Sequence, residues 1–188
     1  MSASAAPFGL KPAYHGGGGT TRPTSYSITS GYAANILANG PVRIVPSSTG
    51  EGTIRAAAAG ETAIGSFVGV RWTDADGMTH FSNKWTTGTT GTDIECWVTE
   101  DPAIFYEIQA NTTLTVADIG KQYDWSAESG NTTVGNSNIS LDVASVASNA
   151  GLQIVGLRPG PDNAWGDAYP IVIVRISEHQ FVANVAGF

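Results

Sequence analysis

The apolar residues of this chain come in short, β-branched runs separated by turn-forming residues, chiefly glycine, proline, asparagine and aspartate. That punctuation leaves no stretch for a long amphipathic helix and restricts the chain to short strands joined by tight turns. The runs fall at residues 42–45, 53–56, 64–73, 78–85, 94–98, 104–110, 152–157 and 171–176. The first is entered through Gly40-Pro41 and left through Pro46-Ser47-Ser48, and Gly50-Glu51-Gly52 forms the turn into the second. Residues 94–98 alternate, with Ile94, Cys96 and Val98 on one face and Glu95 and Trp97 on the other. Residues 116–120 read as a single helical turn and 126–138 as a polar surface loop. Asp76-Gly77, between two strand-like runs, predicts a two-residue type I′ hairpin turn. In that register Trp72 faces Phe81 across the strands, a favourable aromatic pair. The expected fold is all-β, a compact β-barrel or β-sandwich with an extended N-terminal arm and a C-terminal tail.

Residues 1–24 read as the arm and 25–188 as the body with a docking segment at its end. The arm holds Pro7, Pro12, Pro23 and the run Gly16-Gly17-Gly18-Gly19, which predict a segment flexible on its own. Phe8, Leu10 and Tyr14 are apolar anchors that a plain linker does not need, so the arm is expected to order on a partner. At the other end, the irregular loop 161–170 hands over to the strand 171–176 and then to a segment of mixed polarity. Trp165, Tyr169, His179, Phe181 and Phe188 are the docking candidates there. Trp165 stands out because its Pro/Gly/Asp-rich loop implies no core position and tryptophan is enriched at interface hot spots.

Composition narrows the function. The 188 residues suffice for a hydrophobic core in one domain. The net charge of −7 argues against nucleic acid, whose binding relies on Lys and Arg. No apolar run approaches the roughly 18–20 residues of a membrane span, and Met1-Ser2-Ala3-Ser4-Ala5-Ala6-Pro7 does not read as a secretory signal. A single cysteine, Cys96, cannot form an internal disulfide, which suits folding in a reducing cytoplasm. Charged residues make up only 13% of the chain, low for a solvated monomer and suited to packing against neighbours.

No motif carries chemistry. Cys96 lies mid-strand between Glu95 and Trp97, without the cationic neighbour or helix N-terminus that activates a thiol. His15, His80 and His179 are too far apart in sequence for a zinc pattern, and no cofactor is expected. Asp74-Ala75-Asp76-Gly77 lacks the remaining oxygen ligands of a calcium loop, whose twelfth position here is Trp85. The glycine run has no Gly-Lys-Ser/Thr closing it. Asn111, Asn131 and Asn138 head glycan sequons that read as polar turns without secretion. Glu100-Asp101, or Asp162 with Asp167, would be the carboxylates of a hydrolase, but loop acids of this kind are commonly turn formers. Trp72, Trp85, Trp97, Trp125 and Trp165 would form an exposed row in a carbohydrate-binding module; core and interface packing is the simpler expectation.

Several segments, in order, resemble a known family: Ala6-Pro7-Phe8-Gly9-Leu10-Lys11-Pro12, Ile28-Thr29-Ser30-Gly31-Tyr32-Ala33-Ala34-Asn35-Ile36, Ile64-Gly65-Ser66-Phe67-Val68-Gly69-Val70, and Asp162-Asn163-Ala164-Trp165-Gly166-Asp167-Ala168-Tyr169 with Arg175-Ile176-Ser177-Glu178-His179-Gln180. Together they resemble the capsid decoration, or cement, proteins of tailed bacteriophages. The resemblance implies a structural virion protein made in the host cytoplasm. It implies a homotrimer on the outer surface of the expanded head, bridging subunits of the major capsid protein. It brings no catalytic residue. The alternative expectation is a phage tail-fibre, receptor-binding or carbohydrate-binding module.

Overall fold

The computed structural model describes residues 4–46 and 52–182. Among them the chain is all-β: thirteen strands and two single 3₁₀ turns, with no α-helix and no closed barrel. The strands are β1 (Lys11–His15), β2 (Thr24–Tyr26), β3 (Ile36–Leu37), β4 (Pro41–Val45), β5 (Thr53–Ala56), β6 (Gly65–Thr73), β7 (Thr79–Ser82), β8 (Lys84–Trp85), β9 (Thr92–Thr99), β10 (Ile104–Gln109), β11 (Gln122–Tyr123), β12 (Leu152–Leu157) and β13 (Ile171–Ile176). They form antiparallel sheets in the orders β1-β10-β13-β12-β11, β2-β9-β6-β4-β5 with β7 added to β6, and β3-β8.

The continuous apolar run of β13 places it in the middle of its sheet, between β10 and β12. Tyr106, Val174 and Ile154 line up across these three strands and point into the core of the five-stranded sheet. Trp125, Leu141 and Leu114 close over the same core. A second core lies under the six-stranded sheet, built on Phe67, Val70, Cys96, Val98 and Trp85. Cys96 is fully buried, and burial pushes its thiol up to about 12, so it behaves as a small core residue. The sheets are tied where the Tyr106 hydroxyl donates to the Thr99 carbonyl at 2.8 Å. Gly65 sits where β6 meets β9; a Cβ there would lie 1.8 Å from the Thr99 carbonyl oxygen, so no other residue fits.

The described part of the segment expected as an arm that orders on a partner packs within the body. Leu10 is 1% exposed within the core of the five-stranded sheet, and its N–H donates to the Asn39 carbonyl at 2.7 Å. β1 then pairs with β10 as the outermost strand, with a bulge between Pro12 and Tyr14. An edge position beside a bulge is where a strand tolerates proline, which has no N–H to donate. Gly16 and Gly18 continue as a hydrogen-bonded turn, with Gly16 N–H donating to the Ala103 carbonyl at 2.8 Å. The C-terminal segment is docked as well. The Gln180 side chain brackets Ile44, accepting from its N–H at 2.7 Å and donating to its carbonyl at 3.1 Å. Ala63 pairs with His179 in an isolated bridge.

The β6–β7 hairpin differs from expectation by one residue. Trp72 pairs with His80 and Arg71 with Phe81. Asp74 N–H donates to the Met78 carbonyl at 3.0 Å, enclosing the three-residue loop Ala75-Asp76-Gly77 with Gly77 at φ +80°. A type I turn followed by a left-handed glycine explains the loop, and one added loop residue sends Phe81 to the opposite face from Trp72. The imidazole of His80 stacks on Trp72 instead, with ring centres 5.1 Å apart. The turn expected at Gly50-Glu51-Gly52 and the exit through Ser47-Ser48 lie largely outside the described residues.

Candidate functional site

The outer face of the five-stranded sheet carries a groove that follows from the strand register. Lys11, Glu107, Ile173 and Gly156 pair successively across β1, β10, β13 and β12. They face away from the core, because their neighbours Tyr106, Val172 and Val174 point into it. Tyr14 and Phe105 pair one row away and stack at 5.0 Å. A second bulge falls between Ile154 and Gly156, and it leaves Val155 39% exposed on the far wall. The resulting groove of about 420 Å³ is lined by Ala13, Tyr14, Val155, Leu157, Pro159 and Ile173, with Glu107 on its floor. Glu107 is held between Arg158 at 3.2 Å and Lys11 at 3.7 Å. The carboxylate is only 17% exposed, whereas Lys11 is 56% and Arg158 42% exposed, so the two cations are more exposed than the carboxylate they share.

A second cleft, of about 410 Å³, gathers polar groups around the end of β1. It is lined by His15, Arg22, Glu100, Asp101 and Phe181 among others. His15 Nε2 lies 3.0 Å from Asp101 Oδ2. The Ala103 N–H donates to the other Asp101 oxygen at 2.8 Å; that bond, helped by His15, holds the carboxyl below its ordinary range against the opposing effect of burial. The Tyr26 hydroxyl donates to Glu100 Oε2, and burial followed by that carboxylate pushes the phenol up. These contacts engage the acids as turn and network formers. A wider cleft of about 600 Å³ lies between residues 32–35, 56–59 and 126–130; its one ionisable carboxylate is Glu128, whose Oε1 accepts from the Gly130 and Asn138 N–H groups.

The terminal candidates separate into structural and exposed residues. Phe8 is half-buried, and its carbonyl accepts from Asn39 Nδ2 at 3.2 Å. Leu10 is core, whereas Tyr14 is 49% exposed in the groove. Trp165 is half-buried against the core of the five-stranded sheet rather than presented from its loop. Tyr169 is half-buried and its carbonyl accepts from Gln109 Nε2 at 3.2 Å. His179 is 3% exposed. Its Nε2 meets the Glu100 carbonyl at 2.8 Å, and the Phe181 N–H donates to its Nδ1 at 3.2 Å, which selects the neutral tautomer protonated on Nε2. Burial holds its pKa below the ordinary value. Its bonds are therefore internal ones. Phe181 is 56% exposed at the mouth of the second cleft. Phe188 lies outside the described residues.

The two most exposed large apolar residues among those described, Met78 at 64% and Phe81 at 71%, lie on the β6–β7 hairpin and were not site candidates from the sequence. The Asp-Gly pair marked that hairpin, but its register decides which side chains face out. Trp85 and Trp125 are buried, while Trp72, Trp97 and Trp165 are half-buried. Among the described residues no group of three or more His, Cys, Asp or Glu side chains is placed to hold a metal ion, and no helix is long and apolar enough to cross a membrane. The chain matches no protein-family model, no curated protein and no solved structure.

Proposed function

We propose that this chain is a structural virion protein that binds the outer surface of a tailed-phage head. In this reading it works as a homotrimer and reinforces contacts between subunits of the major capsid protein. One observation carries the proposal. Large apolar side chains are exposed at three places: Tyr14 and Val155, which line one groove on the five-stranded sheet, Met78 and Phe81 on the β6–β7 hairpin, and Phe181 and Val182 after β13. Grouped exposed apolar residues mark interaction surfaces, and several such surfaces on one small body suit a subunit with several neighbours. Adhesion of this kind needs no reaction. Each oligomer joins several lattice subunits, and high effective concentration multiplies modest single contacts.

The test is direct decoration. Expanded heads lacking the chain are mixed with the purified protein and sedimented. Saturable co-sedimentation, with added resistance of the heads to heat or loss of salt, is the expected result. Heads that bind none of it at micromolar protein refute the proposal.

A further inference from the structure

We propose that the β6–β7 hairpin of one copy seats in the groove on the outer face of the five-stranded sheet of a second copy. The inference rests on the assembly reading above and names the self-contact within it.

Three observations on two different parts of the molecule support it. First, the hairpin is an unprotected edge. Among the described residues β7 pairs only with β6, and it carries Phe81 at 71% exposure. The edge strand is short and mostly polar, so what it offers a second copy is the uncovered Phe81 side chain. Second, the charges are opposite. The hairpin tip carries Asp74 and Asp76 beside the exposed Met78, and Asp74 is held anionic first by His80, 2.7 Å away, and then by the Met78 N–H. The groove has apolar walls over the Glu107 carboxylate, and Lys11 and Arg158, which share that carboxylate, flank it and are more exposed than it is. The chain as a whole is at −7, so a groove flanked by two exposed cations that share one carboxylate is complementary to this protein's own surface. Third, the groove is open at its floor. A Cβ added at Gly156 would meet no atom within 4 Å, so space remains for a side chain from outside.

The hairpin and the groove are different surfaces. The contact is therefore head-to-tail, and every copy offers one knob and one groove. Such a contact closes into a ring when its rotation permits; in the reading above that ring holds three copies.

Light scattering and sedimentation of the full chain test the proposal with two variants. Phe81→Ser removes the exposed aromatic, and Gly156→Gln fills the groove where the backbone leaves room for it. Each is expected to weaken self-association by roughly 30-fold or more, the scale of a hot-spot contact, with tryptophan emission and denaturation midpoint unchanged. Mixing the two is the decisive step. Phe81→Ser retains a groove and Gly156→Gln retains a hairpin, so together they are expected to form a one-to-one dimer that grows no further. A wild-type monomer at all accessible concentrations, an oligomer that both variants leave intact, or a mixture that stays monomeric overturns the inference. Failure of the functional reading looks different: wild-type rings with this mutational pattern that ignore phage heads remove the decoration proposal and leave this interface standing.

Discussion

Replacing Leu10 with alanine tests whether the N-terminal segment is a detachable arm or part of the fold. Leu10 is 1% exposed and belongs to the same buried cluster as Tyr106, Val174 and Leu141. Truncating a fully buried leucine removes its transfer free energy and leaves a cavity, together about 2–5 kcal/mol. The backbone restricts relaxation, since Leu10 N–H is fixed to the Asn39 carbonyl at 2.7 Å and Gly9 N–H to the Ile139 carbonyl at 3.1 Å. A loss near 3 kcal/mol corresponds to a fall in melting temperature of about 6–12 °C for a chain of this size. In urea the midpoint should fall by roughly 1–2 M for a slope near 2 kcal/mol/M. Tryptophan emission reports the transition, because Trp85 and Trp125 are buried. Tyr14→Ala, at a position 49% exposed, serves as the control and should cost under about 1 kcal/mol. If Leu10→Ala denatures within about 0.5 kcal/mol of the parent, residues near Leu10 do not belong to the core and the argument fails.

Acid should weaken the fold in a defined window. Glu61 is clamped by Arg55 at 2.5 Å and Arg43 at 3.0 Å; the Arg55 bond, then the Ala58 N–H and Arg43, hold its carboxyl at about 2 against the opposing cost of burial. A depressed folded-state value means that the stabilisation is complete above the ordinary carboxylate range, near pH 4.5, and is lost as pH falls toward 2. After allowance for side chains about a quarter to a third exposed, it is worth about 1–2 kcal/mol, and Glu61→Gln should flatten the stability profile over that interval. His179 acts with the other sign of charge. It is buried neutral, so below its ordinary value near pH 6.5 the unfolded chain takes up a proton that the folded chain resists. Residues 177–182 should show lower hydrogen-exchange protection, with each rate referred to the intrinsic base-catalysed rate at the same pH, below about pH 6 than at pH 8, and His179→Gln should remove that dependence. Gly65→Ala forces a Cβ to 1.8 Å from the Thr99 carbonyl oxygen and should cost on the order of 3 kcal/mol or more, whereas Gly156→Ala, with open space around it, should stay within about 1 kcal/mol of the parent in the same urea titration.

The strands with the clearest apolar runs were legible in the sequence. Residues 152–157 and 171–176 coincide with β12 and β13, because a run such as Ile171-Val172-Ile173-Val174 has few uses other than a central strand. β1 was not legible. Pro12 and the following glycines suggest a linker, and only the edge position and the bulge show how Lys11–His15 can pair with β10. The hairpin shows a finer limit. Asp76-Gly77 marks the turn correctly, but a two-residue and a three-residue loop share that dipeptide, and the difference moves Phe81 to the opposite face. Trp165 misled for a related reason. Its loop composition implies exposure, yet Asp167 accepts from the Ala164 N–H at 2.9 Å and the loop folds back so that the indole rests on the core. The groove was invisible because Lys11, Glu107, Ile173 and Gly156 meet only through strand order, with their nearest pair far apart in the chain.

The central claim is that this protein acts by adhering to a viral shell. The measurement that bears on it most directly is a cryo-EM reconstruction of the phage particle proposed to carry the chain. The account predicts hundreds of copies on the outside of the head at three-fold positions, their density fitted by the two main sheets described above, with the β6–β7 hairpin buried against a neighbour. A head exterior without this fold, or a handful of copies confined to the tail, contradicts it.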